Sequence, residues 1–367
     1  MKLFKLPEVV LWSVFSMMEV IEKMELSFCS RVSAAVLRRN GTIPITIKIT
    51  IIPRMPYIEV FQTGREGLKQ CKLYMQKGTT GFDEQDPMRN FGGIRVMAKW
   101  PPVGTVFCST THQPDKIMHS LIIHLLQVFP NCIVESLRIN VIVYREQFDI
   151  KKALPRGTII NNAEMDGDRM YKDDLEYVLK ELRVLNQLKA TVTVVGQLSI
   201  DNTGSAANQI IVPANWISSK MFLNFQSEKI ILTCLDLNST DLQAFLRKWK
   251  RSVDEENSLR KLKFIEIQYL KKDQKLDFKE LEGSPFVATP QHWRYIRKSA
   301  EYEVFNQVVY EQVSGINITN NDGIIGTFFA SSGSYFFYVW RNGIQTIEGG
   351  AEVVDIGNGE AQPGAPE

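Results

Sequence analysis

One cysteine and three histidines lie close together in the chain and form its best candidate metal site: Cys108, His112, His119 and His124. Zinc takes thiolate and imidazole ligands in a tetrahedral set. His119 and His124 fall within an apolar helical pattern, however, and no second cysteine follows at a zinc-binding spacing. We therefore predict that the chain binds no metal and that these side chains pack structurally.

A second group of possible ligands consists of Glu164, Asp166 and Asp168. Carboxylates at alternating positions can bind calcium, but the twelve-position ligand pattern with its closing glutamate is not met. The chain also has no Gly-x-Ser-x-Gly motif, no phosphate-binding loop and no His-Glu-x-x-His motif. We predict a solvated acidic loop at 164–168, no cofactor and no enzymatic activity.

Composition excludes several classes of partner. The chain has 43 Lys and Arg against 41 Asp and Glu, a net charge of +2, so it carries no field suited to nucleic acid or to an anionic membrane. The five cysteines are odd in number and dispersed, which is typical of buried thiols in a reducing compartment. We expect an intracellular protein, cytoplasmic or nuclear, with no nucleic-acid or membrane partner.

The hydrophobic pattern predicts the elements that position these side chains. Pro7 favours the start of a helix that runs to about Met18. Apolar residues lie on nearly every side of this helix: Leu11, Phe15 and Met18 on one face, Val10, Val14 and Met17 on a second, and Val9 and Trp12 on much of the remainder. Because so small a unit cannot bury two apolar faces against itself, one face is expected to meet another chain or a larger part of this one.

The periodicity changes after the first forty residues. Helical spacing continues to Asn40, so residues 1–40 are predicted to form a three-helix domain. Isoleucines at alternate positions from Ile43 to Ile51 then predict a half-buried strand. Further short strands separated by turns predict a small antiparallel sheet over residues 41–110.

Helices and strands alternate in the region that follows, residues 111–348. The predicted elements are a helix at 115–129, a strand at 135–144, a helix from Asp173, a strand at 191–200, a strand at 229–237, a helix at 242–249 and a strand at 262–269. Sequential strands joined by helices lie parallel, and stacked units of this kind form an open array like a leucine-rich repeat. The predicted fold class is α+β, ending in a hairpin and a disordered tail at 349–367.

The N-terminal pattern resembles a known motif. The likeness rests on Leu6-Pro7, Leu11, Val14-Phe15, Met18 and the run Leu26-Ser27-Phe28-Cys29-Ser30-Arg31. In these residues the chain resembles an F-box, which docks on a Skp-type adaptor of cullin-based ubiquitin ligases. Glu19-Val20 stands where the family usually has an Asp-Pro cap, and Val32-Ser33 stands where an aromatic residue often occurs. The resemblance implies adaptor binding through Leu6, Pro7, Val10, Leu11, Val14, Phe15 and Met18.

A second likeness covers the run from Leu235 to Trp249, with Trp216 before it and Leu259-Arg260-Lys261-Leu262 after it. This run resembles the type-2 F-box-associated domain of the nematode F-box families, whose pattern combines a helix cap, two apolar anchors and a tryptophan. The stretch 318–327, followed by Phe336 to Trp340, is similar to the hairpin that ends those proteins.

Together the two resemblances imply a substrate-recognition subunit of a Skp–cullin–F-box ubiquitin ligase. Such a subunit performs no chemistry itself, but holds an unidentified target protein near the ubiquitin-charged partner. Two alternatives stay open: a repeat-type protein-interaction module unrelated to ubiquitin, and an enzyme of unrecognised type that works at the strand ends of the open sheet.

Overall fold

The structure is a computed structural model that describes residues 6–40, 44–52, 55–63, 71–77, 88–91, 94–99, 105–110, 114–141, 148–233, 236–251, 258–268, 276–287, 314–331 and 334–340. The chain divides into two compact units, one up to Ala206 and one from Ala207 onward. Both mix helices with strands, so the α+β class is confirmed. The predicted tail at 349–367 lies outside the described residues.

The first unit begins with three helices, as the sequence predicted: α1 (Glu8–Met17), α2 (Val20–Cys29) and α3 (Arg31–Asn40). The start of α2 lies where the F-box pattern has an Asp-Pro cap. Here the backbone N–H of Glu19 donates to the Glu22 carboxylate at 2.7 Å, which is a capping-box bond. At the start of α3, the Ser30 hydroxyl accepts the Ser33 N–H at 3.0 Å. Local capping therefore defines both junctions.

The strands of the first unit are β1 (Ile45–Ile51), β2 (Tyr57–Gln62), β3 (Cys71–Lys77), β4 (Met88–Phe91), β5 (Ile94–Lys99), β6 (Thr105–Thr110), β7 (Ile133–Val141), β8 (Ile159–Tyr171) and β9 (Arg183–Val195). Their order is β9-β8-β7-β1-β2-β3-β6-β5-β4. Neighbours from β9 to β1 are parallel. The other neighbouring pairs are antiparallel, except that β3 and β6 are parallel.

This arrangement differs from the separate small sheet predicted for residues 41–110. The central strand β1 pairs on both edges, so that Ile47 lies between Val60 of β2 and Val134 of β7. Its isoleucines are almost completely buried. A strand this apolar needs partners on both edges, because an open edge would expose unpaired backbone groups. The antiparallel and parallel strands therefore belong to one sheet.

Three helices accompany the parallel strands: α4 (Pro114–Val128), α5 (Ile150–Ala153) and α6 (Lys172–Glu181). α4 contacts α5, and α5 contacts α6. Ile117, Leu121 and Leu125 of α4 are fully buried. Residues at alternate positions of the strands are also fully buried, for example Ile49 of β1 and Met165 of β8. The core of the unit therefore lies between these helices and one face of the sheet.

The prediction of an acidic loop at 164–168 is wrong, because these residues belong to strand β8. Glu164 accepts a hydrogen bond from Lys189 of β9 at 2.7 Å, and Asp166 accepts one from Arg138 of β7 at 2.7 Å. Cross-strand partners of opposite charge stabilise strands. They allow the polar sequence to continue as a strand where its composition alone indicated a loop.

The second unit contains α7 (Ser219–Leu223), α8 (Ser239–Lys250), β10 (Asn208–Ile211), β11 (Lys229–Thr233), β12 (Phe264–Gln268), β13 (Ser284–Val287), β14 (Ser314–Thr319), β15 (Ile325–Ser331) and β16 (Ser334–Trp340). Their order is β13-β14-β15-β16-β12-β11-β10. The strands β10, β11 and β12 are parallel, and the others are antiparallel. Trp249 of α8 packs edge-on against Phe337, with ring centroids 4.7 Å apart.

Helix α8 begins one turn earlier than predicted. The sequence pattern indicated Ser239 to Asp241 as its cap, but the cap is Asn238, whose side chain accepts the Asp241 N–H at 3.0 Å. The Asp241 carboxylate in turn accepts the Asn238 N–H at 3.0 Å. This reciprocal pair satisfies backbone donors that a helix leaves free at its start.

Candidate functional site

One side of α1 presents large apolar side chains to solvent. Val9 and Met17 are each 77% exposed, and Trp12 is 52% exposed. On a helix these residues lie on the same side as Ser13 and Ser16. We call Val9, Trp12 and Met17 the outer face of α1. Large apolar side chains exposed together on one side of a helix indicate a site of interaction with another molecule.

The seven residues that the resemblance assigned to adaptor binding divide into three groups in the structure. Leu6, Pro7 and Val10 are exposed, Val14 and Met18 are half-buried, and Leu11 and Phe15 are buried. Leu11 and Phe15 therefore lie on the inner side of α1, which packs against α3. The ion pair between Glu8 and Arg39, at 3.1 Å, also joins these two helices.

The residues of the outer face were not among the predicted adaptor-binding residues. The hydrophobic pattern made all sides of α1 similar, so it did not show which side faces inward. Ser13 and Ser16 were the sequence signal that could have identified the exposed side of α1, because these polar residues lie between Val9, Trp12 and Met17 on the helix surface. Their hydroxyls donate to helix carbonyls, Ser13 to Val9 at 3.0 Å and Ser16 to Ser13 at 2.7 Å.

The second and third helices are joined to the rest of the first unit. Arg89 of β4 donates to Glu25 of α2 at 3.4 Å. The Ser27 hydroxyl lies 2.9 Å from the Nε2 of His124 in α4. The rings of Phe28 and His124 are also in contact, with centroids 4.7 Å apart. The three-helix segment thus packs against the rest of the first unit through α2 and α3, while the outer face of α1 stays exposed.

Ser27 and His124 are arranged as a structural pair and not as a nucleophile with its base. The Ser27 hydroxyl lies 2.6 Å from the Met24 carbonyl, which can only accept, so the single serine proton is donated there. His124 must then donate its Nε2–H to the serine oxygen. Burial lowers the pKa of His124 to about 4, so the ring is neutral at pH 7. A base would have to accept the serine proton instead.

The sheet face opposite the helices of the first unit is polar. Its cross-strand ladder includes Arg138, Glu164, Asp166 and Lys189. The hydrogen bond to Asp166 raises the pKa of Arg138, so this guanidinium is charged under all ordinary conditions. Lys48 of β1 lies 5.0 Å from the centroid of the Phe61 ring. This face therefore carries a ladder of charged side chains and a lysine–aromatic contact, and no described helix covers it.

The predicted metal candidates are not brought together within the described residues. Cys108 is fully buried, and burial raises the pKa of its thiol. His124 bonds to Ser27, and His112 lies outside the described residues. No group of three or more His, Cys, Asp and Glu side chains suited to a metal ion occurs in the described part of the chain.

The described cysteines, Cys29, Cys71, Cys108 and Cys132, are free thiols. Burial raises the pKa of Cys71 and of Cys132 to about 12. Such thiols are protonated at neutral pH and are poor nucleophiles and poor metal ligands.

Comparisons with protein-family models, with curated proteins and with solved structures found no match for this chain. Among the described residues, no helix has both the length and the hydropathy that crossing a membrane requires.

Proposed function

We propose that the chain is the non-catalytic substrate-recognition subunit of a Skp–cullin–F-box ubiquitin ligase, acting in the cytoplasm or nucleus. The observation that carries the proposal is the outer face of α1, where Val9, Trp12 and Met17 are exposed on the first of three helices. Covering apolar surface contributes about 25 cal/mol per Å² removed from water. A Skp-type adaptor that covers this face would therefore gain binding energy from it.

We also propose that the parallel strands form an array like a leucine-rich repeat. In the first unit β7, β8 and β9 are neighbours in chain order, and the helices that precede them, α4, α5 and α6, are also neighbours. The parallel strands β10, β11 and β12 of the second unit are likewise neighbours in chain order. In such arrays the face without helices is the usual binding surface.

The proposed role of this face is to hold a target protein. Arg138, Glu164 and Lys189 offer side-chain donors and acceptors on adjacent strands, which suits a polar protein surface. The ligase would then act by proximity, since a target held near the ubiquitin-charged partner reacts at a raised effective concentration.

The outer face can be tested by changing exposed residues alone. The variant with Val9→Glu and Met17→Lys places an acid in the first turn of α1 and a base in the last, so it suits the helix dipole and keeps the net charge. We expect its affinity for a purified Skp-type adaptor, measured by isothermal titration calorimetry, to fall at least about tenfold, because burying either charge is unfavourable.

The matched control is Val32→Glu in α3, which also changes an exposed valine, at 60% exposure, near a helix start. It should bind the adaptor like the unchanged chain. Equal adaptor affinity of the double variant and the control would contradict the proposal. Substitution of Leu11 and Phe15 by aspartate would not test adaptor binding, because both residues are buried and their loss would unfold the helices.

The repeat-type interaction module without a ubiquitin role is the second candidate. The observation that favours it is the packing of α2 on its own unit, through Glu25 with Arg89 and Ser27 with His124. Under this alternative the full chain should stay monomeric without an adaptor, and size-exclusion chromatography with light scattering measures this. Aggregation that the adaptor prevents would support adaptor docking instead.

A further inference from the structure

A groove lies between α3 and α4, beside the C-terminal end of α2, and its volume is about 560 Å³. Its wall on α3 is formed by Arg31, Ala34, Ala35 and Arg38. These residues follow the spacing of one helical face. Its wall on α4 is formed by His124, Gln127 and Val128. The groove therefore has an arginine at each end of the α3 wall and two alanines between them.

The groove is positively charged. No acidic residue lines it among the residues that the structure describes. Arg31 and Arg38 are exposed, and neither forms an ion pair with another residue of the described ranges. Arg39, the next residue of α3, differs because it pairs with Glu8 at 3.1 Å. His124 is neutral at pH 7 and adds no charge, since burial lowers its pKa to about 4.

The size and spacing of the groove indicate its ligand. A volume near 560 Å³ is larger than a single small anion needs. The Cα atoms of Arg31 and Arg38, seven residues apart on a helix, are separated by about 10 Å. In an extended peptide, side chains two to four positions apart are separated by about 7 to 13 Å. Ala34 and Ala35 leave room for a peptide backbone between the two arginines.

We propose that this groove binds an extended acidic segment of a partner protein, with one carboxylate or phosphate group on Arg31 and a second on Arg38. Guanidinium groups bind both kinds of anion through paired N–H donors. Phe28 and Val128, which also line the groove, offer apolar contact to the peptide between the two anions. The site does not depend on adaptor docking by α1, because the groove lies between α3 and α4 and is not part of the outer face of α1.

Fluorescence anisotropy of labelled peptides with the full chain tests the site. Three peptides of about twelve residues, otherwise Gly, Ser and Ala, carry two glutamates, two phosphoserines or two glutamines three positions apart. We expect the glutamate or phosphoserine peptide to bind and the glutamine peptide not to bind. Arg31→Gln combined with Arg38→Gln should weaken binding at least about tenfold. The control Arg39→Gln should leave binding unchanged.

A second variant separates the groove from the general charge of α3. Ala35→Trp fills the groove and keeps both arginines, so it should also weaken binding at least about tenfold if the peptide lies in the groove. Circular dichroism checks that each variant is folded. Absence of binding to the unchanged chain, equal binding of the glutamine peptide, full binding by the double arginine variant, or full binding by the Ala35→Trp variant would each overturn the proposal.

Discussion

The hydroxyl of Ser27 lies 2.9 Å from the Nε2 of His124 and joins the second N-terminal helix to the helix that precedes the parallel strands. Ninety-seven positions separate the two residues in the chain. The histidine is the donor, because the serine proton is already bound to the Met24 carbonyl. The N-terminal helices and α4 are thus joined by a pair that requires a neutral imidazole with its proton on Nε2.

The burial of His124 predicts that stability depends on pH. The pKa of His124 is lowered from 6.5 to about 4 in the folded chain, so the unfolded chain takes up the proton first as the pH falls. The stability contributed by the neutral, buried imidazole is fully present above pH 6.5 and is lost as the pH falls from 6.5 towards 4. The free energy of unfolding should decrease by about 2 to 3 kcal/mol over this range. Urea denaturation between pH 7.5 and pH 4.5 measures it.

His124→Gln should reduce this pH dependence, because glutamine retains a donor for Ser27 but does not titrate. An unchanged slope of stability against pH in the His124 variant would show that this residue is not its origin.

Glu266 of β12 predicts the opposite dependence in the second unit. The residue is 3% exposed, and its carboxylate accepts the Gln268 side-chain N–H at 2.7 Å. The second carboxylate oxygen is buried without a hydrogen-bond partner among the described residues. Burial raises its pKa above the ordinary value of 4.5. The unfolded chain therefore releases the proton first, and stability falls as the pH rises above 4.5.

Glu266→Gln should raise the free energy of unfolding by about 1 kcal/mol at pH 8 and by less at pH 5, because it removes a buried charge. Urea denaturation at the two pH values measures the gain. The control Glu228→Gln removes an exposed partner of Lys263 and should lower stability slightly or not at all. A loss of stability at pH 8 in the Glu266 variant would contradict the prediction.

Gly326 of β15 leaves the space in which two aromatic rings pack. A Cβ atom added there would lie 2.8 Å from the Trp249 ring and would also overlap the Phe337 ring. Gly326→Ala should therefore destabilise the second unit by about 1 to 3 kcal/mol, since the buried rings cannot move without strain. Thermal denaturation measures the loss.

A double-mutant cycle tests the cause. Phe337→Leu shortens the overlapping side chain, so the combination of Gly326→Ala with Phe337→Leu should cost less than the sum of the single changes. Additive losses would indicate that the alanine acts through the backbone and not through the rings.

The cap of α8 predicts a smaller effect. Asn238→Ala removes the acceptor of the Asp241 N–H and should lower the free energy of unfolding by about 1 kcal/mol. Asn238→Ser keeps a side-chain oxygen at this position and should recover most of the loss. Denaturation of both variants gives the comparison, and equal stability of the alanine and serine variants would argue against a capping role.

The fold was predictable from sequence where the pattern was local and periodic. The alternating isoleucines of β1, the helical spacing of α4 and the three N-terminal helices all follow from residue periods that a short segment determines. The joining of β1 to both β2 and β7 was not predictable in this way, because strand pairing depends on residues far apart in the chain. The strand character of Glu164 and Asp166 likewise depends on partners in other strands.

The sequence by itself determined that α1 is too apolar to be solvated on every side. It could not determine which side is exposed, since its apolar residues occupy nearly the whole circumference. Only the tertiary structure decided that Leu11 and Phe15 point inward and that Val9, Trp12 and Met17 point outward. The physical reason is that a helix face is buried by the neighbours that pack on it, and those neighbours are set by contacts distant in the chain.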